Sequence, residues 1–263
     1  MRKITALALC VLMVLSAFAF TSCAKEPTAY ELVYEAMEKM SALDSLELEQ
    51  KMDMKMDMMG MTMDVPMSVK IKGKHIKSDS PILRADMTTT MMETSVDSVV
   101  YIESGYVFLT SLSDSYKMKL ADVEQEYNVL EDLTSVFRCP AESVFEGVEI
   151  IKNDDGTRTV SLALTQEDYF AAYGDHSATL LGELGLEGNA SFTDIKIDIT
   201  VNKEGYLCGF KMSCGIAVTV TEMGMDIPVT ATVAIDSKYY NFGANVTITP
   251  PEGYQDFEEL SLN

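Results

Sequence analysis

Tryptophan is missing from this 263-residue chain, and histidine occurs only twice, at His75 and His176. Basic residues are scarce too: 20 Lys and Arg stand against 41 Asp and Glu, a formal charge of −21. A surface of that sign repels nucleic acid and anionic lipid headgroups, which excludes both as electrostatic partners. Cysteine is sparse, at Cys10, Cys23, Cys139, Cys208 and Cys214. Cys208 and Cys214 read as part of one strand, about 20 Å apart, whereas a disulfide needs Cα atoms within about 7 Å. At most one bridge, through Cys139, remains open, so this is not a disulfide scaffold. The metalloprotease H-E-x-x-H, the esterase G-x-S-x-G and the phosphate-binding loop are all lacking. No enzyme, no cofactor and no metal are expected.

Long uncharged apolar runs are confined to the N-terminus. Arg2 and Lys3 precede Ile4–Phe20, a run shorter than the roughly 20 residues that cross a bilayer. Small and then polar residues follow, the pattern of a cleaved signal peptide over residues 1–22. Its removal leaves 18 basic against 41 acidic side chains. The segment Phe20-Thr21-Ser22-Cys23 resembles the bacterial lipobox, with Phe20 where Leu is usual. That resemblance implies acylation of Cys23, a palmitate-type anchor facing outward from the cell membrane, and residues 23–27 as lipidated terminus and tether. Two or three acyl chains give stable attachment, each buried CH₂ contributing about 0.8 kcal/mol.

With 47% hydrophobic residues the remainder is no disordered acidic tail. Residues 28–263 read as one domain. Thr28 and Glu31 are spaced as a capping box, and Leu32, Val33, Ala36, Met40 and Leu43 recur at helical spacing. From Leu46 the period becomes two: Leu46, Leu48, Met52, Met54, Met56 and Met58 alternate with charged residues. Met59-Gly60 turns the chain, and Met61, Met63, Val65, Met67, Val69 and Ile71 return it. Shorter strands are expected at Leu83–Met92, Ser95–Glu103 and Tyr106–Ser111, then a helix over 120–137. Strands near Glu149–Ile151 and Thr159–Leu164 flank the turn Asn153–Gly156, and a helix capped by Thr165 and Asp168 runs to about Glu183. Ile195–Val201, Tyr206–Val220 and Ile227–Ile235 follow as strands, the middle one with every second residue on one face. A last strand is expected at Phe242–Ile248, before Pro250-Pro251.

The segment Met59–Met67 echoes Met223–Val229, as two related hairpin halves or as convergent hairpin chemistry. Pro66 and Pro228 place edges or bulges in the return strands.

This order of elements resembles the LolA/LppX-type lipoprotein fold and related Gram-positive lipoproteins. The resemblance implies an α+β fold: a strongly curved antiparallel sheet, an incomplete barrel, with helices packed on or plugging its concave side. It also implies a non-enzymatic carrier or receptor for a lipid or other hydrophobic molecule. The cavity lining would be Met52, Met54, Met56, Ile197, Ile199, Phe210, Met212, Ile216 and Val218. The methionine cluster has other readings. It can be plain core, or an M-x-M set for Cu(I), since soft thioethers select that ion. A solid-cored module working through an acidic outer surface is the alternative function.

Overall fold

The computed structural model describes residues 26–91, 94–112, 114–127, 137–173, 190–222 and 225–260. The signal-peptide and Cys23 readings lie outside the described residues, as do 128–136 and 174–183 of the two expected helices.

The first helix, α1 (Ala29–Ser41), starts where Thr28 and Glu31 predict. The Glu31 N–H donates to Thr28 Oγ1 at 3.2 Å, and the Thr28 N–H donates to Glu31 Oε2 at 2.7 Å. Two of the orphan donors at the helix start are thereby satisfied. Its apolar stripe of Leu32, Val33, Ala36, Met37 and Met40 is buried.

Alternation then builds strands β1 (Ser45–Met58), β2 (Met61–Lys74), β3 (Ile82–Met91), β4 (Thr94–Glu103), β5 (Tyr106–Ser111) and β6 (Asp114–Lys119). After helix α2 (Leu120–Tyr127) come β7 (Ile150–Lys152), β8 (Arg158–Leu164), β9 (Ser191–Val201), β10 (Leu207–Glu222) and β11 (Met225–Tyr240), and finally β12 (Glu258–Glu259). All twelve join one curved, unclosed sheet, in the order β12-β6-β5-β4-β3-β2-β1-β11-β10-β9-β8-β7. Pairing is antiparallel except between β12 and β6. This is the α+β, incomplete-barrel arrangement that the resemblance implied.

Directly paired residues share a side of a sheet, so the registers separate two faces. The inner face holds Leu46, Leu48, Met52–Met58 at even positions, Ile71, Leu83, Ile102, Ile197, Ile199 and Val233. Helix α1 packs on it over β8–β10, and α2 packs on it over β3–β5. The outer face carries acidic and basic side chains in nearly equal number. Lys70 pairs with Glu49, Lys72 with Glu47, Lys55 with Asp64 and Lys211 with Asp236. Among the described residues the acidic surplus therefore sits on helices and connections rather than on the outer sheet face.

Three local expectations need correction. Phe242–Ile248 is not a strand. It is an unpaired strap that begins where the Gly243 N–H donates to Ser45 O at 2.9 Å and Phe242 stacks on Tyr206 at 4.8 Å. The strap crosses the outer face: Arg84 donates to Thr249 O at 2.6 Å, and Tyr254 packs edge-on against Tyr101 and Phe108. The chain from Tyr206 does not keep a single phase, because a bulge in β10 between Leu207 and Gly209 turns Leu207 inward and leaves Cys208 unpaired in the ladder. Strand β6 is additional; Lys117 and Lys119 point outward there and leave only Tyr116 and Met118 as apolar signal.

The prolines behave as expected of edges. Pro66 lies one residue beyond the last β2–β3 rung, Met67 with Thr89, and Pro228 one beyond the last β1–β11 rung, Met58 with Val229. Lacking an N–H, Pro66 ends pairing with β3, which runs on to Met91, whereas Pro228 stands where β1 itself turns away after Met58.

Candidate ligand-binding face

Three zones follow one another along the inner face. Under α1, Ile195, Ile197, Ile199, Val201, Val160, Leu162 and Leu164 form a closed core with Leu32, Val33, Ala36 and Met40. Ile197 and Ile199 are 0% exposed. β-Branched side chains suit that place, since their single favoured χ1 packs tightly on a pleated surface. Under α2 a smaller core gathers Leu83, Ala85, Ile102, Val107, Leu120 and Val123.

Between these cores, on the upper halves of β1 and β2, the same face is lined with methionine. Its rungs are Met52 with Met67, Met54 with Val65, Met56 with Met63, and Met58 with Met61. On the other side Met52 meets Ile235, Met54 meets Val233 and Met56 meets Ala231. Met52, Met54, Met56, Met58, Met63 and Met67 are all half-buried. The rows continue into β10, where Met212 lies beside Ile235, Ile216 beside Ala231 and Val218 beside Val229.

The nine residues expected to line a cavity thus share one face. Ile197 and Ile199 are sealed beneath α1, Val218 is buried, Phe210, Met212 and Ile216 border the α1 core, and Met52, Met54 and Met56 stand on the half-buried stripe. Sequence reasoning placed Val69 on this face but passed over the polar members of its row, at the base of the stripe. That row contains Ser237, Gln50, Val69, Met87, Ser98 and Ser111. The buried Ser237 hydroxyl donates to Gln50 Oε1 at 3.2 Å, and Ser98 donates to Ser111 at 3.4 Å. Gln50 at an even position between Leu48 and Met52 was the signal available for it.

Other clefts are open. One of about 460 Å³ lies on the outer face among Lys51, Asp53, Lys196, Asp198, Lys211 and Asp236. A second, about 390 Å³, lies among Tyr30, Tyr34, Met37, Phe137 and Cys139. Burial pushes the Cys139 thiol up to about 12, and burial also raises Cys208 and Cys214. Each shift lowers the fraction present as thiolate, the reactive form. All three are free thiols. Among the described residues, no group of three or more His, Cys, Asp or Glu is placed to hold a metal. No helix among them is long and apolar enough to cross a membrane.

No family model and no curated protein matches the chain. Among solved structures it is similar to LprF from Mycobacterium bovis, at 14% identity and a TM-score of 0.45, over 86% of this chain and 97% of that one. It is also similar to a DUF1329 family protein from Desulfovibrio piger, at 10% identity and a TM-score of 0.26, over 85% and 96%. Neither likeness identifies a ligand for this chain.

Proposed function

We propose that this chain is an exported lipoprotein, anchored by acylated Cys23, that carries a lipid or other hydrophobic molecule on its methionine-lined inner face. The supporting observation is the contrast within one face. The rows under α1 are fully buried isoleucine and valine, whereas the rows of Met52, Met54, Met56 and Met63 are half-buried methionine. Methionine has an unbranched, polarizable side chain that adapts to variable apolar shapes. An acyl chain covering about 400 Å² there would gain roughly 10 kcal/mol at 25 cal/mol per Å², before the cost of association is subtracted. Phe210, Met212, Ile216 and Val218 would flank the chain, with Ile197 and Ile199 as the floor beneath α1. Nothing in this role requires bond-making chemistry by the protein.

The test is native mass spectrometry of the protein purified from bacterial membranes, followed by organic extraction. Near-stoichiometric lipid beyond the acyl groups on Cys23 is the expected result. An empty protein that also takes up no fluorescent fatty acid contradicts the carrier role. Cys23→Ser is expected to leave the precursor unacylated.

A further inference from the structure

The hairpin turns of the long strands occupy one rim of the sheet in a regular stagger. The β1–β2 turn follows Met58, and the β10–β11 turn, between Glu222 and Met225, stands four residues above the Val229–Met58 rung. By extension of the Met67–Thr89 rung, the β3–β4 turn after Met91 falls at the level of Met54. The β5–β6 turn after Ser111 falls at the level of Gln50, through Ser98, Met87 and Val69. A constant step of four residues per hairpin is the stagger that tilted strands give to the rim of a barrel.

Large apolar side chains project from this rim. Leu112 is 75% exposed, Met59 72%, Met61 61% and Met91 53%. The turns of the opposite rim are polar: Ser104-Gly105, Asn153-Asp154-Asp155-Gly156 and Asn202-Lys203-Glu204-Gly205. Backbone conformation sharpens the difference. Met59 and Leu112 both sit at φ 55°, in the left-handed region that a Cβ makes costly. Among the described residues, the remaining non-glycine residues found there are His75, Ser104, Asp194 and Asn241, all polar. Met59-Gly60 has positive φ at both positions, the hairpin turn for which Asn-Gly is the favoured pair. So Met59 and Leu112 stand where local preference asks for another residue, and exposure leaves them little packing in return.

We infer that this rim is a membrane-contacting edge: Met59, Met61, Met91 and Leu112 insert into the interfacial zone of a zwitterionic bilayer. The chemistry selects that occupant. The projecting residues come from three separate hairpins and are interleaved with the hydroxyls of Thr62, Thr90, Thr94 and Ser95 and the exposed carboxylates of Asp57 and Asp114. Scattered apolar tips of this kind suit a yielding, partly hydrated interface better than a rigid protein groove. No Lys or Arg is present in these turns, and the chain is strongly acidic, so apolar partition rather than attraction to anionic lipid drives the contact. The rim also continues the methionine rows through the Met58–Met61 rung, although the contact does not depend on the inner face being loaded.

The absence of tryptophan supplies the probe. Full-length protein carrying Leu112→Trp, reconstituted in phosphatidylcholine vesicles, has one reporting indole; Asp154→Trp places it on the opposite rim. Glu26, three residues after Cys23, is ion-paired to Lys152 beside the Asn153–Gly156 turn, so an anchor on Cys23 holds that polar rim toward the host bilayer. Bromine-labelled acyl chains in protein-free vesicles added later are expected to quench the indole at 112 several-fold more than that at 154. Equal or no quenching by the added vesicles overturns the inference. So does a concentration-dependent blue shift without quenching, which would assign the rim to a second copy of this chain. The double variant Met59→Asn/Leu112→Asn keeps the two roles apart: its Tm is expected to hold or rise, while association with added vesicles falls at least tenfold. Loss of association together with a lowered Tm contradicts the inference. Lipid that co-purifies with a protein whose rim is unquenched defeats this inference alone, and a quenched rim on an empty protein defeats the carrier role alone.

Discussion

The β9 rows and the β1–β2 rows obey the same period of two and face the same side of one sheet, yet they end in different states. Ile195, Ile197, Ile199 and Val201 meet α1 and are sealed; Met52, Met54, Met56 and Met63 remain half-open to whatever comes. Periodicity reports only which side a residue takes. What closes one zone and leaves the other half-buried is the cover of α1, and residue type differs with it, stiff β-branched side chains under the helix and flexible thioethers beyond it.

That contrast breaks most visibly through stability. Ile197→Ala is expected to cost about 2–5 kcal/mol, because the cavity it leaves is walled by α1 and cannot collapse. Chemical denaturation measures it; a cost as small as that of a surface change would mean the two zones are alike. The Met54→Ala/Met56→Ala pair is expected to cost much less, under about 2 kcal/mol, since these side chains already keep part of their surface in water. Its visible effect falls on bound lipid, which extraction should find reduced several-fold.

Met54→Leu sharpens the comparison further. Volume is nearly conserved, so stability should change by less than about 1.5 kcal/mol, while the range of fatty acids accepted narrows as the lining stiffens. Thr28→Ala removes one arm of the capping box and should cost about 1 kcal/mol by thermal melting. The smallest effect concerns pH. The Cys139 thiol has its pKa raised by burial to about 12, against a reference near 9. The folded form therefore holds that proton more tightly, and its contribution to stability is fully present below pH 9 and declines as pH rises toward 12. At pH 8, alkylation of the native protein should be far slower than that of the unfolded chain, by mass spectrometry.

Alternation made most of the sheet legible from sequence, because each strand buries one side and exposes the other; the strands from Ser45 to Ser111 fall within a few residues of their expected places. The Thr28–Glu31 box marked α1 for the same reason, a local motif with a local cause. What escaped depends on contacts distant in sequence. Phe242–Ile248 looks like a strand, but Phe242 is held by Tyr206 and Val246 by burial, and the outer side of β4 and β5 is apolar at Tyr101 and Phe108 only because Tyr254 comes to cover it. The Cys208 bulge leaves no mark in the alternation. Of the candidate lining, the shared face was legible; the depth of each residue was not, because α1 covers Ile197 and Ile199 without reaching Met52, Met54 and Met56.

The methionine ε-methyls offer the most direct test. With carbon-13 in those methyls, a fatty acid titration followed by NMR reads both zones at once. The account predicts that the signals of Met52, Met54, Met56 and Met63 shift to saturation while those of Met37 and Met40, buried in α1, stay in place. Signals that do not move at all, or that move as much at Met37 and Met40 as on the stripe, would contradict it.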